Sequence, residues 1–235
     1  MTKIYLASFS EDFYVNFIKD DRYMWLVDGL KNTLIISLFA ALLGVVIGFV
    51  IALVRTTHDK TGKLRVLDFL SRIYLTVIRG TPSMIQLLIM NFVVFASVKM
   101  NKIVVGSLSF GINSGAYVAE IIRSGIMSID EGQTEAGRSL GLSYGQTMRM
   151  IIMPQAFKNV LPALVNEFIV LIKETSIIGT IGMMDLTKGA TLIQSRSYNA
   201  FMPLMAAALI YLVVVMLLTF FMNKLERRLR SNERR

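Results

Sequence analysis

Thr33–Val54 reads TLIISLFAALLGVVIGFVIALV, 22 residues without a charge. As a helix rising 1.5 Å per residue it is about 33 Å long, enough to cross a hydrocarbon layer of roughly 30 Å. Inside that layer a helix satisfies its own backbone hydrogen bonds, so such a run is stable there. Phe201–Met222 is a second uncharged run of 22 residues. About 30 residues precede the first run, which sets it apart from the short, early apolar core of a cleavable signal. The whole chain agrees. Of its 235 residues 54% are hydrophobic and 17% charged, against about 25% charged in ordinary soluble domains.

Three further segments are apolar but interrupted. Leu64–Val98 carries Asp68, Arg72 and Arg79 around Gly80-Thr81-Pro82. It reads as one spanning element broken near Pro82, because proline disfavours helix at the residue before it. Ser109–Met127 contains Glu120 and Arg123, and Val160–Met184 contains Glu167, Lys173 and Glu174. The expected fold is all-α, a polytopic membrane protein of about five transmembrane helices, with the termini on opposite sides.

Charge decides which side is which. Residues 55–72, residues 123–158 and the tail collect 15 of the 25 Lys and Arg; the other side holds eight, four of them beside five acids near the N-terminus. Basic residues accumulate on the cytoplasmic face, which puts the N-terminus outside and the C-terminus inside. Tyr23 and Trp25 then stand at the outer interface, where amphipathic rings are favoured. The expected division is an extracytoplasmic or interfacial segment at 1–29, a transmembrane domain at 30–227, and a basic cytoplasmic tail at 228–235. The net charge of +9 is thus a topology signal. It needs no nucleic acid as partner, while contact with membrane lipid follows from it. The absence of Cys excludes disulfides, thiol catalysis and Cys-ligated zinc, and the one histidine, His58 in a basic and solvated loop, excludes a poly-His metal site within one chain.

Residues 128–158 form a cytoplasmic loop longer than most helix–helix connections. Ser128 and Glu131 stand at capping-box spacing, Gly141 suits a left-handed C-cap, Ser143 and Gln146 repeat the capping box, and Pro154 ends or bends the second helix. The first helix offers small residues at Ala136 and Gly137, a charged pair in Glu135 and Arg138, and an apolar tip in Leu140 and Leu142. Two readings stand: a helix docking into a groove on another protein, and a solvated amphipathic loop. A DNA-binding helix-turn-helix fits poorly. The loop's three acids cancel its three bases, and phosphate contact needs a positive face.

Glu135-Ala136-Gly137, then Gly141, then Ile151-x-Met153-Pro154 resembles the EAA loop of ABC importer permeases, with Gly137 in place of the third-position Ala and Met153 in place of Leu. Arg79-Gly80-Thr81-Pro82, Asn113-Ser114-Gly115-Ala116-Tyr117-Val118-Ala119-Glu120, Met153-Pro154-Gln155-Ala156 and Lys173-Glu174-Thr175-Ser176 are similar to further signatures of the polar amino acid permease branch. The resemblance implies the transmembrane permease subunit of an ATP-binding-cassette importer for a polar amino acid, in the bacterial cytoplasmic (inner) membrane. It implies a second permease chain, identical or related, two ATP-binding subunits and an extracytoplasmic amino-acid-binding protein. The ATPase-coupling residues would be Glu135, Ala136, Gly137, Arg138, Leu140, Gly141, Leu142 and Pro154.

No enzyme activity or cofactor is expected in this chain. Gly62-Lys63 continues with Leu64 and position 57 is Thr, so there is no Walker A loop, and ATP and Mg belong to the partner. Charges inside spans are costly and mark a pathway or a pair. Glu120 and Arg123, at i, i+3, can pair on one helix face or lie at the cytoplasmic end of their span. Lys173 and Glu174 are adjacent and point apart. Glu174 and Arg79 could take the ammonium and carboxylate of an amino acid, with Thr81, Gln86 and Asn113 adding neutral hydrogen bonds. The competing reading is an ion-coupled secondary amino acid transporter, for which no internal repeat is visible. A membrane-anchored scaffold would not need ordered polar signatures inside spans.

Overall fold

The computed structural model describes residues 9–231, all-helical with no strand among them. The helices are α1 (Phe9–Phe13), α2 (Tyr23–Thr61), α3 (Arg65–Gly80), α4 (Ser83–Ile89), α5 (Lys102–Met127), α6 (Glu131–Ser139), α7 (Tyr144–Thr147), α8 (Met153–Glu174), α9 (Leu186–Ser197) and α10 (Phe201–Ser231). Residues 23–29 form the opening turns of α2, and α10 remains helical to Ser231; the expected basic tail continues to positions 232–235, outside the described residues.

The uncharged run Thr33–Val54 is the middle of α2, a single rod of 39 residues. One stripe of it is small and buried: Thr33, Ser37, Ala40, Gly44, Gly48, Ala52 and Thr56, spaced three or four apart. Small residues let helix backbones approach where lipid gives no hydrophobic drive between helices. The stripe seats α5. A Cβ added at Gly44 would lie 3.0 Å from the Ser114 side chain, and one at Gly48 would lie 2.6 Å from Val118 Cγ1 and 2.7 Å from the Ala119 backbone nitrogen. Both numberings rise together along this seam, so α2 and α5 run parallel. On the other flank α5 meets α8 in the opposite order, Gly125 against Val160 and Ser114 against Glu167, so α8 runs antiparallel.

Among the described residues, two helices are long and apolar enough on their own to cross a membrane: α2, and α10 over Phe201–Lys224. α3 with Ser83–Val94 qualifies only as a pair bent by 107°. The chain does break at Gly80–Pro82, as expected; Thr81 is extended at φ −124°, ψ 147°. The bend is too sharp for one straight span. α5 and α8, expected as spans, are 26 and 22 residues long but are not apolar enough alone. The reason is burial. α5 turns Ser107, Ser109, Asn113 and Ser114 inward, so its polar content faces protein. α5 also starts earlier than expected, at Lys102, because Asn101 accepts from the Ile103 backbone nitrogen at 2.8 Å and caps it.

Two local expectations are corrected. Pro154 neither ends nor sharply stops its helix. A π turn at Met148–Ile152 carries α7 into α8, and Pro154 sits in the first turn of α8, where a missing N–H costs little. Helix α9 was not expected at all. The buried Asp185 caps it, accepting from Thr187 and Lys188 backbone nitrogens at 3.0 and 3.1 Å, and α9 packs on the N-terminal end of α2 through Leu186, Ala190 and Ile193.

Gly48→Leu is expected to drive α2 and α5 apart. Overpacking of such a seam costs about 1–3 kcal/mol or more. A fluorescence thermal melt of the detergent-solubilised protein checks it, with a lowered midpoint the expected outcome; Gly62→Leu does not test the same contact, since nothing lies within 4 Å of Gly62.

Candidate functional site

The α6–α7 hairpin is built by its caps. Asp130, not Ser128, begins α6: its side chain accepts from Gly132 N at 2.7 Å. Ser128 instead closes α5, donating to Gly125 O at 2.8 Å and accepting from Asn159 Nδ2 at 3.0 Å. At the far end Gly141 has φ +80°; its nitrogen donates to Arg138 O at 2.9 Å, and Leu142 N donates to Gly137 O at 3.1 Å. This pair of bonds is the Schellman arrangement, which wants glycine in the left-handed position. Ser143 and Gln146 form the expected reciprocal capping box.

Glu135, Ala136 and Arg138 are exposed, and Leu140 at the tip is 79% exposed. Glu135 and Arg138, expected as a pair, make no ion pair with each other. Gly137 is the buried member. A Cβ there would lie 2.7 Å from Thr147 Cγ2, so the glycine lets α6 lie against α7. Lys60, on the last turns of α2, reaches Glu131 at 2.6 Å and fastens α6 to that rod. Its hydrogen bond holds the Glu131 carboxyl below the ordinary range.

The broken segment solves a different problem. Breaking a helix leaves carbonyls without partners. Gln86 Nε2 donates to Ile78 O at 2.8 Å, to Thr81 O at 3.1 Å and to Thr81 Oγ1 at 2.8 Å. Its Oε1 accepts from the buried Asn113 Nδ2 at 2.9 Å. Thr81, Gln86 and Asn113 are therefore brought together, as a brace that holds the bend to α5.

Glu120 and Arg123 do pair, at 2.8 Å, within a larger lattice. Arg55 lies 3.4 Å from Glu120 and 3.7 Å from Asp68; Arg72 lies 2.7 Å from Asp68 and 3.8 Å from Asp59; Arg123 lies 3.9 Å from Asp59. His58 is not in a solvated loop but on α2, with Nε2 3.8 Å from Asp68 and Nδ1 2.9 Å from Lys63 O.

Beside this lattice lies a cleft of about 660 Å³ between α3, α5 and α8, lined among others by Arg79, Glu120, Ser124, Ser128, Asn159 and Glu167. Arg79 stands 4.0 Å from Glu120 and 5.8 Å over the Tyr117 ring. Ser114 donates to Glu167 at 2.9 Å. Lys173 and Glu174 do not line the cleft; they sit at the C-terminal end of α8. Glu167 was passed over in favour of Glu174. The two are seven residues apart and share a helix face, and only the crossing of α8 with α5 tells which one lines the cleft that Arg79 lines.

Three comparisons bear on these features. The family described as the binding-protein-dependent transport system inner membrane component matches residues 44–231. The arginine transport system permease protein ArtQ of Bacillus subtilis is 39% identical over 89% of this chain and 94% of its own, and the glutamine transport system permease protein GlnP of Escherichia coli K12 is 35% identical over 87% and 93%. A crystal structure of an amino acid ABC transporter with histidines has a chain 40% identical to this one, with a TM-score of 0.82, covering 90% of this chain and 98% of that one. An inward-facing MetNI methionine ABC transporter shares the fold at a TM-score of 0.77 and 21% identity, over 88% and 97%.

Gly137→Ala is expected to loosen the hairpin by about 1–3 kcal/mol, because Thr147 is buried and stiff. Faster limited proteolysis between α6 and α7 is the readout. Protection should return when Thr147→Ala is combined with it.

Proposed function

The chain belongs to the family of binding-protein-dependent transport system inner membrane components, and from that premise we propose that it carries a polar amino acid inward through the cleft lined by Arg79, Glu120 and Glu167. It is the permease subunit of an ABC importer in the inner membrane, which sets aside the ion-coupled alternative. Its relatives named for arginine and glutamine transport suggest the class of cargo. In our reading the chain crosses the membrane five times, with α3 and α4 as one bent crossing, the N-terminus outside and the C-terminus inside. An interfacial segment up to residue 29, a permease body at 30–227 and a basic tail follow from that topology.

The observation that carries the mechanism is one continuous helical path. It begins at Tyr144, three residues past the exposed hairpin tip at Leu140–Gly141, and runs through α7 and the π turn into α8, where it reaches Glu167 in the cleft. A partner ATPase gripping Glu135, Ala136, Arg138, Leu140 and Leu142 would move α8 with it. The buried Gly137, the left-handed Gly141 and Pro154 keep that lever's shape. ATP binding would favour one of two arrangements of α8 against α5 through different contacts in each. ATP and Mg stay on the two partner subunits, a second permease chain completes the pore, and an extracytoplasmic binding protein delivers cargo.

The cleft suits a zwitterion. Two carboxylates, Glu120 and Glu167, face an ammonium, and Arg79 faces a carboxylate. Thr81, Gln86 and Asn113 keep the bend that presents Arg79. Lys173 and Glu174, at the far, outer end of α8, would act earlier on the path.

Two outcomes check this reading in reconstituted transporter. Glu135→Lys with Gly141→Pro should lower uptake and cargo-stimulated ATPase together by about tenfold, within the usual range of coupling energies; normal values for both would remove the lever. Glu167→Gln should lower uptake while assembly and basal ATPase stay normal.

A further inference from the structure

Helix α3 has three faces. Asp68, Ser71 and Leu75 point inward and are buried. Val66, Phe69, Ile73 and Val77, at i, i+3, i+7 and i+11, form an apolar ridge that is between 46% and 72% exposed. Arg72, Thr76 and Arg79, at i, i+4 and i+7, form a third face. That face opens on a second cleft of about 620 Å³, completed by Arg55 of α2 and Tyr117 of α5. A basic face beside an apolar ridge is the pattern of a helix held at a membrane–water boundary.

We propose that this cleft binds the anionic headgroup of a phospholipid from the cytoplasmic leaflet. Three guanidinium groups line it and no carboxylate does. Asp59, Asp68 and Glu120 lie behind them, and the lattice holds four arginines against three carboxylates, so the cleft is left positive. Arg72 and Arg79 keep 53% and 45% of their side chains exposed, with donors to spare. Guanidinium is the group best matched to a phosphate, in paired hydrogen bonds.

Depth selects lipid over a free ion. Arg55 is the first charge after the uncharged run Thr33–Val54, so the cleft lies at the inner edge of the hydrocarbon layer. There the leaflet is anionic. A headgroup in the cleft would lay its acyl chains along Val66, Phe69, Ile73 and Val77; inorganic phosphate or a cargo carboxylate would leave that ridge unused. The inference rests on the chain's membrane orientation and not on the nature of the cargo.

The test uses the assembled transporter in detergent, stripped of lipid and followed by native mass spectrometry. Phosphatidylglycerol, phosphatidylcholine, inorganic phosphate and the cargo amino acid are titrated separately, then phosphatidylglycerol is challenged with each soluble ion. Phosphatidylglycerol should bind at least about fivefold tighter than phosphatidylcholine, and Arg72→Gln should weaken it about fivefold, with Arg72→Lys, which keeps the charge but not the paired hydrogen bonds, recovering part of the loss. Thr76→Glu, at an exposed position, removes no member of the ion lattice and should abolish the preference by placing a carboxylate beside Arg72 and Arg79. Equal retention of both lipids overturns the proposal. So does an unchanged preference in Thr76→Glu, or displacement of lipid by phosphate or by cargo.

Discussion

Everything in this chain hangs from the contact between α2 and α5. Lipid tails are as apolar as leucine, so two helices in a membrane gain nothing by hiding apolar surface from each other. What joins them is close packing, and close packing needs small residues. The Gly44 and Gly48 notches against Ser114, Val118 and Ala119 supply it. Once α5 is seated there, its other flank is fixed for α8 through Gly125 and Val160. The cleft between α5, α8 and α3 is what remains when that seam is as tight as it is.

The charges obey the same constraint. A lone ionised group near lipid is costly, and these are not alone. Asp68 is 3% exposed but meets Arg55, Arg72 and His58. Glu120 meets Arg55, Arg79 and Arg123. The arginines thus tie α2, α3 and α5 at one level, and the bend at Gly80–Pro82 ends α3 just past Arg79. The break turns the chain away just past Arg79, which therefore stands in the last turn of α3 and lines both clefts.

Much of this was legible in the residues. Thr33–Val54 announced α2, Gly141 and the Ser143–Gln146 box announced the hairpin, and Pro82 announced the break. These are local signals, decided within a few residues. The failures came where partners are distant in sequence. Ser128 has the right spacing for a cap, but Asp130 lies closer to the helix start and Ser128 is taken by Asn159. Pro154 looked like a stop because the π turn before it has no residue signature. Helix α9 carries little hydrophobic pattern of its own, and its cap Asp185 is buried only because α2 covers it. Glu167 lines the cleft and Glu174 does not through one helix crossing, which no linear motif encodes.

The length of α2 has a mechanical meaning. At 39 residues it is about 58 Å long, nearly twice the hydrocarbon thickness. Its C-terminal turns stand clear of the hydrocarbon as a post, and Lys60 clasps Glu131 from that post. Glu131 is 80% exposed, so solvent screens this ion pair and it holds only lightly. The fastening between post and hairpin is therefore a light one: it sets where α6 rests in this structure, and in the proposed lever it would open on every stroke.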